Sequence, residues 1–65
     1  MTKNVVVYET EDTIVFGVLY RSIAQGYVIY NKDTKTYSAW YKEECVGRNH
    51  PTLTLAAVDV MRATF

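Results

Sequence analysis

The sequence predicts an α+β fold: a small antiparallel β-sheet of four strands, in ββββα order, packed on one C-terminal helix. Three observations point there. Up to Lys42 the chain alternates β-branched and aromatic runs with polar turns. From Thr52 onward the apolar residues recur at helical spacing. Finally, 49% of the residues are apolar and 14% aromatic, against three Gly and one Pro, which is the composition of a folded chain.

The first run, Asn4 to Glu9, is short and β-branched, and Thr13 to Tyr20 is a second. The acidic stretch Glu9-Thr10-Glu11-Asp12 between them has the polarity of a hairpin loop. In the second run Ile14, Phe16, Val18 and Tyr20 share one face and Val15, Gly17 and Leu19 the other, since side chains alternate. Both faces are apolar, which predicts a central strand covered on both sides. Arg21 to Gly26 reads as a connection, with Gly26 suited to a bulge or a positive-φ corner. Tyr27 to Asn31 makes the third strand. Asn31 to Thr36 is the clearest turn signal, because Asn and Asp bond their own backbone. Tyr37 to Lys42 is the fourth strand. Its register depends on whether the turn holds three or four residues, and a slip of one would exchange its faces.

One domain, 1–65, accounts for the chain, with the sheet over about 4–42, a charged linker over 43–51 and the helix over about 52–64. Pro51-Thr52 and Thr54 offer two helix starts. On the helix, Leu53, Ala57, Val60 and Met61 fall on one arc, extended by Val58 and Phe65, and this arc is expected to lie on the sheet. Leu55, Asp59 and Arg62 fall on the opposite stripe, where Leu55 has no place in the core.

A chain of 65 residues buries only about 60% of its unfolded surface and is marginal alone. Its single Cys45 excludes an internal disulfide, and with one histidine, His50, the soft ligands are too few for a closed zinc site. Self-association is the remaining source of stability, so a homo-oligomer, most simply a dimer, is expected, with no cofactor. Seven Lys and Arg balance seven Asp and Glu, which argues against nucleic acid or an acidic membrane surface as the partner. There is no long apolar run and no signal-peptide core. A cytoplasmic location is therefore expected, with Cys45 reduced. A chain of this size starting at Met1 falls in the size class of phage-encoded and other accessory regulators.

Catalytic signals are weak. Cys45 and His50 share one loop without a third group to orient them. The carboxylates Glu9, Glu11, Asp12, Glu43 and Glu44 lie in polar loops where solvation is the rule, and paired acids do hydrolytic work when one of them is buried. No phosphate-binding glycine loop, HExxH or GxSxG is present. A non-enzymatic role is expected.

The informative feature is the set of six tyrosines and one tryptophan, on strands or at their ends. Tyr27 and Tyr30 must point to opposite faces, and so must Trp40 and Tyr41, because side chains alternate. One helix covers one face, so some of these rings are left on the other. Tyr27, Trp40 and Tyr41, with Leu55, Arg62 and Arg21, are the candidate binding residues. Three function classes follow. The first is a protein-binding, self-assembling regulator or inhibitor that masks a larger protein partner through the Tyr/Trp-rich face. The second is a single-stranded nucleic-acid binder using Lys32, Lys35, Lys42 and Arg48. The third is a small-ligand site for a nucleotide or metabolite between subunits, built from Tyr and Arg21.

Overall fold

The computed structural model describes residues 2–65. The chain forms β1 (Thr2–Glu9), β2 (Thr13–Tyr20), β3 (Ile23–Asn31), β4 (Thr36–Tyr41), β5 (Glu44–His50) and α1 (Leu53–Thr64). The five strands make one sheet in the order β1-β2-β3-β4-β5, each pairing antiparallel with the next. The fold is α+β, an antiparallel sheet followed by a helix, but with five strands where the sequence predicts four. The charged stretch expected to be a linker over 43–51 is β5.

That correction has a local cause. Lys42 and Glu43 take positive φ, 48° and 65°, and Tyr41 pairs directly with Glu44. This is the mirror-image two-residue turn that suits the twist of a hairpin, usually written with Asn-Gly. Arg21 and Ser22 do the same at 53° and 66°, so the Arg21 to Gly26 connection shrinks to two turn residues and β3 begins at Ile23. None of the glycines takes positive φ, so the left-handed positions among the described residues all carry side chains, and of them only Asn49 is of a type that visits that region readily.

The β3–β4 turn holds four residues, with Asn31 opposite Thr36. Asn31 Oδ1 accepts from the Asp33 and Thr34 amides at 2.9 and 3.2 Å, and Lys35 closes the turn at φ 58°. Lys32 ties this turn to the β1–β2 loop: its Nζ donates to Glu9 Oε2 and the Thr10 carbonyl, both at 2.9 Å.

Thr52 caps the helix, its Oγ1 accepting from the Leu55 amide at 3.3 Å, and the Phe65 amide closes the other end on the Met61 carbonyl. The helix packs on β3, β4 and β5. Val18, Val28 and Ala39 meet Ala56, Ala57 and Val60 in a thin core, flanked by Phe16, Tyr37, Val46, Leu53 and Met61. Close approach is what the glycines under the helix provide. A Cβ on Gly26 would stand 2.5 Å from the Trp40 carbonyl oxygen and 2.7 Å from Val60 Cγ1, and one on Gly47 would collide with Asp59 Oδ2. Gly26 thus serves helix–sheet contact, and the bulge beside it puts Gln25 in excess between the pairs Val18–Gly26 and Leu19–Ala24.

The expected helix arc needs adjustment. Ala56 is fully buried, whereas Val58 is exposed and Phe65 is 81% exposed. The reason is lateral: the helix sits over the β5 side of the sheet, so its β1-facing flank overhangs little. β2 is likewise not covered on both sides, since no element lies over the face that carries Val15 and Leu19.

Candidate interaction surface

The face away from the helix is fixed by the core. Val18, Val28 and Ala39 point to the helix, so their strand neighbours Gly17, Tyr27, Ile29, Ser38 and Trp40 point away from it. Register then lays Tyr27 directly opposite Trp40 and, on its other side, opposite Gly17. Val15 pairs with Ile29, and Val5 and Val7 lean over Gly17, their Cγ2 atoms 3.7 and 3.1 Å from where its Cβ would be. Cys45 extends the face opposite Trp40. The interior of this surface carries no charged side chain, whereas a solvated face of an antiparallel sheet ordinarily alternates to polar residues.

Its centre is held rigidly. Trp40 Nε1 donates to Ser38 Oγ at 3.2 Å, and Ser38 Oγ donates to the Ile29 carbonyl at 3.3 Å. The indole is half-buried and the Tyr27 ring is 49% exposed. Two shallow hollows adjoin them, about 510 Å³ beside Val15, Tyr27 and Lys42 and about 490 Å³ beside Ser38, Cys45 and Arg48, with Ile29 and Trp40 in both. Lys42, Glu43 and Arg48 stand at the margin of these hollows.

Of the candidate binding residues, Tyr27 and Trp40 come together here and the others do not. Tyr41 follows Trp40 and so points to the helix side, half-buried, with Lys42 Nζ 5.4 Å from its ring centre. Arg21 sits in the β2–β3 turn with its guanidinium 5.4 Å from the centre of Tyr20. Leu55 is 46% exposed on the outer side of the helix. Arg62 is exposed on another flank, lining with Val58, Met61 and Phe65 a groove of about 550 Å³ that runs beside Thr2 and Asn4 of β1.

Asp59 does not share the outer stripe expected for it. It turns toward β5, where its Oδ2 lies 2.6 Å from His50 Nε2, both side chains mostly buried. The Gly47 position leaves the room for that pair. Cys45 Sγ instead donates to the Gly47 carbonyl at 3.4 Å, so the imidazole is engaged with a carboxylate and the thiol with a backbone oxygen. Among the described residues no cluster of three or more His, Cys, Asp or Glu could hold a metal ion, and no helix is long and apolar enough to cross a membrane.

Sequence reasoning missed the valines and Ile29 that complete the apolar surface. Alternation along β2 already set Val15, Gly17 and Leu19 on one face, but joining them to Tyr27 and Trp40 required the register. The His50–Asp59 pair had no signal, because its partners were assigned to a linker and an outer helix stripe. Compared with protein-family models, curated proteins and solved structures, the chain matches none, so the surface itself carries the functional argument.

Proposed function

We propose that this chain is a non-enzymatic protein-binding module, an accessory regulator or inhibitor that masks a larger protein through its open sheet face. The carrying observation is the charge-free interior of that face, with Tyr27 and Trp40 paired across strands at its centre. Aromatic residues flanked by apolar ones, with charges confined to the margin, are the composition of an interface core. Trp40 is fixed by its bond to Ser38, which limits the entropy lost when a partner covers it.

The surface is less suited to phosphate. A strand of nucleic acid needs cations along its path beside the stacking rings, and here Lys42 and Arg48 are at the margin in company with Glu43. The decisive experiment is affinity capture from host-cell extract by the native chain, by Trp40→Ala and by Tyr27→Ala, all shown by circular dichroism to be folded. A protein retained by the native chain and lost by both variants supports the reading, once its binding to the purified chain is measured. Retention by the variants overturns it. Binding that falls steeply between low and moderate salt points to nucleic acid instead.

A further inference from the structure

We propose that β1 is a pairing edge for a second copy of this chain, joining two five-stranded sheets into one around a two-fold axis that passes between the two facing Val5 residues. β1 ends the sheet, so one side of its backbone has no neighbouring strand. Proteins that remain monomeric blunt such edges with charges, proline, bulges or covering elements. The opposite edge is blunted in this way: β5 carries two irregularities in register, left-handed Asn49, the charged Glu44 and Arg48, and a helix packed against it. β1 has one bulge, and its charges Lys3 and Glu9 stand toward its ends; no helix packs on it, and its middle presents Val5-Val6-Val7-Tyr8, with Val6 59% and Val7 58% exposed.

The occupant follows from the strand's own self-complementarity. β1 has one bulge, Val7, which is extra between the pairs Val6–Phe16 and Tyr8–Val15. Thr2, Asn4, Val6 and Glu9 therefore point to the helix side, and Lys3, Val5 and Tyr8 to the open side. Laid antiparallel on itself with Val7 skipped in each copy, β1 matches faces along its whole length in one register. Val5 meets Val5 of the second copy, Asn4 meets Val6, Lys3 meets Tyr8 and Thr2 meets Glu9. Shifting by one residue turns every pair to opposite faces. The register also suits the charges. The ammonium of Lys3 comes against the Tyr8 ring of the second copy on the open face, while a parallel pairing would set lysine on lysine and glutamate on glutamate. The chain's zero net charge raises no repulsion between copies. Because the axis is perpendicular to the sheet, the two open faces lie side by side on one side of the assembly. A partner bound through them gains from bivalence.

An edge of eight residues is smaller than the roughly 20–30 a standard interface takes on each side, so association is expected to be concentration-dependent. Light scattering from about 10 µM to about 1 mM is expected to follow the mass from 7.5 kDa toward twice that value, with a melting temperature that rises with concentration. In a Cys45→Ser background, Val5→Cys is expected to form a covalent dimer on mild oxidation and Val7→Cys to form little. Lys3→Glu, which reverses an exposed charge on the edge strand, is expected to weaken dimerisation at least tenfold while leaving the fold intact. A mass of one chain at every concentration overturns the proposal, and so does cross-linking of Val7→Cys as fast as Val5→Cys. Loss of the dimer in Trp40→Ala with no effect of Lys3→Glu overturns it too, yet leaves the open face as an interface. A dimer that survives Trp40→Ala while partner capture is lost separates the two surfaces.

Discussion

The two ends of the sheet are built on opposite terms. At the β5 end the helix rests on β3, β4 and β5, two glycines let it come close, and His50 is clasped by Asp59. At the β1 end the helix only borders a groove beside Thr2 and Asn4, and the strand is held by its ladder with β2 and by Lys32 reaching back to the Glu9–Thr10 loop. A chain this short has one helix to spend on covering its sheet, and it covers one end. The lesson is that stability and binding surface are separated laterally along the same sheet as well as between its faces. Regions with few buried contacts open at lower free-energy cost than the core.

The largest expected effect tests the packed end. Gly26→Val sets a branched side chain where a Cβ alone already meets a backbone oxygen at 2.5 Å and Val60 at 2.7 Å. Backbone cannot yield as a side-chain tip can, so overpacking is expected to cost about 3 kcal/mol, out of a total of roughly 3–10 kcal/mol for this chain length. Urea denaturation of Gly26→Val should show the unfolding free energy lowered by about that amount. The equivalent change at the other end, Val6→Thr, is expected to shift stability by less than about 0.5 kcal/mol. Equal losses at the two ends would erase the distinction.

Next in size is the link between β5 and the helix. Asp59→Ala leaves His50 without its partner and empties the space over Gly47, and hydrogen bonds to charged groups are worth about 1.5–3 kcal/mol. Because both side chains keep about a fifth to a quarter of their surface in water, 25% and 21%, the lower half of that range is expected, read from the urea midpoint. Asp59→Asn, which still offers an oxygen, should lose less. A neutral Asp59→Ala would mean that β5 is held by its ladder and Val46 alone.

How much of this was legible in the sequence divides along the same line. The runs Thr13 to Tyr20 and Tyr27 to Asn31, the Asn31–Thr36 turn and the helix after Thr52 all carry local signals, and all appear. β5 does not, because its residues Glu44-Cys45-Val46-Gly47-Arg48-Asn49-His50 lack alternation and its turn Lys42-Glu43 lacks glycine. Its strand character comes from tertiary contact, as the ladder to β4 and the helix above override weak propensity. The face at the centre of the functional argument was half legible. Composition showed that rings would be left uncovered, but only register shows that Tyr27 meets Trp40 while Tyr41 turns away.

That unusual turn yields a smaller, stabilising prediction. Replacing Lys42-Glu43 by Asn-Gly relieves two left-handed residues, each carrying a strain of about 1 kcal/mol in such a conformation. Part of the gain is lost to the freer unfolded chain. A net gain near 1 kcal/mol is expected, which for a domain of this size raises the melting temperature by about 4–8 °C. No change would indicate that Lys42 contributes an offsetting contact with the Tyr41 ring.

The smallest effect concerns Leu55, the outer helix residue proposed from sequence as a contact. Its amide already donates to the Thr52 hydroxyl, which makes Leu55 the third helical residue after the cap, and the first turn holds no acidic residue. A glutamate there can reach back to the Thr52 amide and completes a reciprocal cap, and its charge suits the positive end of the helix dipole. Leu55→Glu is therefore expected to raise stability by about 0.5 kcal/mol, seen as a rise of a few degrees in the melting temperature at low concentration. Where Leu55 anchors an interface, the same change would bury an unpaired carboxylate and abolish association. With assembly through β1 and partner binding through Tyr27 and Trp40, both are expected to persist unchanged in Leu55→Glu. A more stable monomer that has lost either activity would move the functional surface from the sheet to the helix.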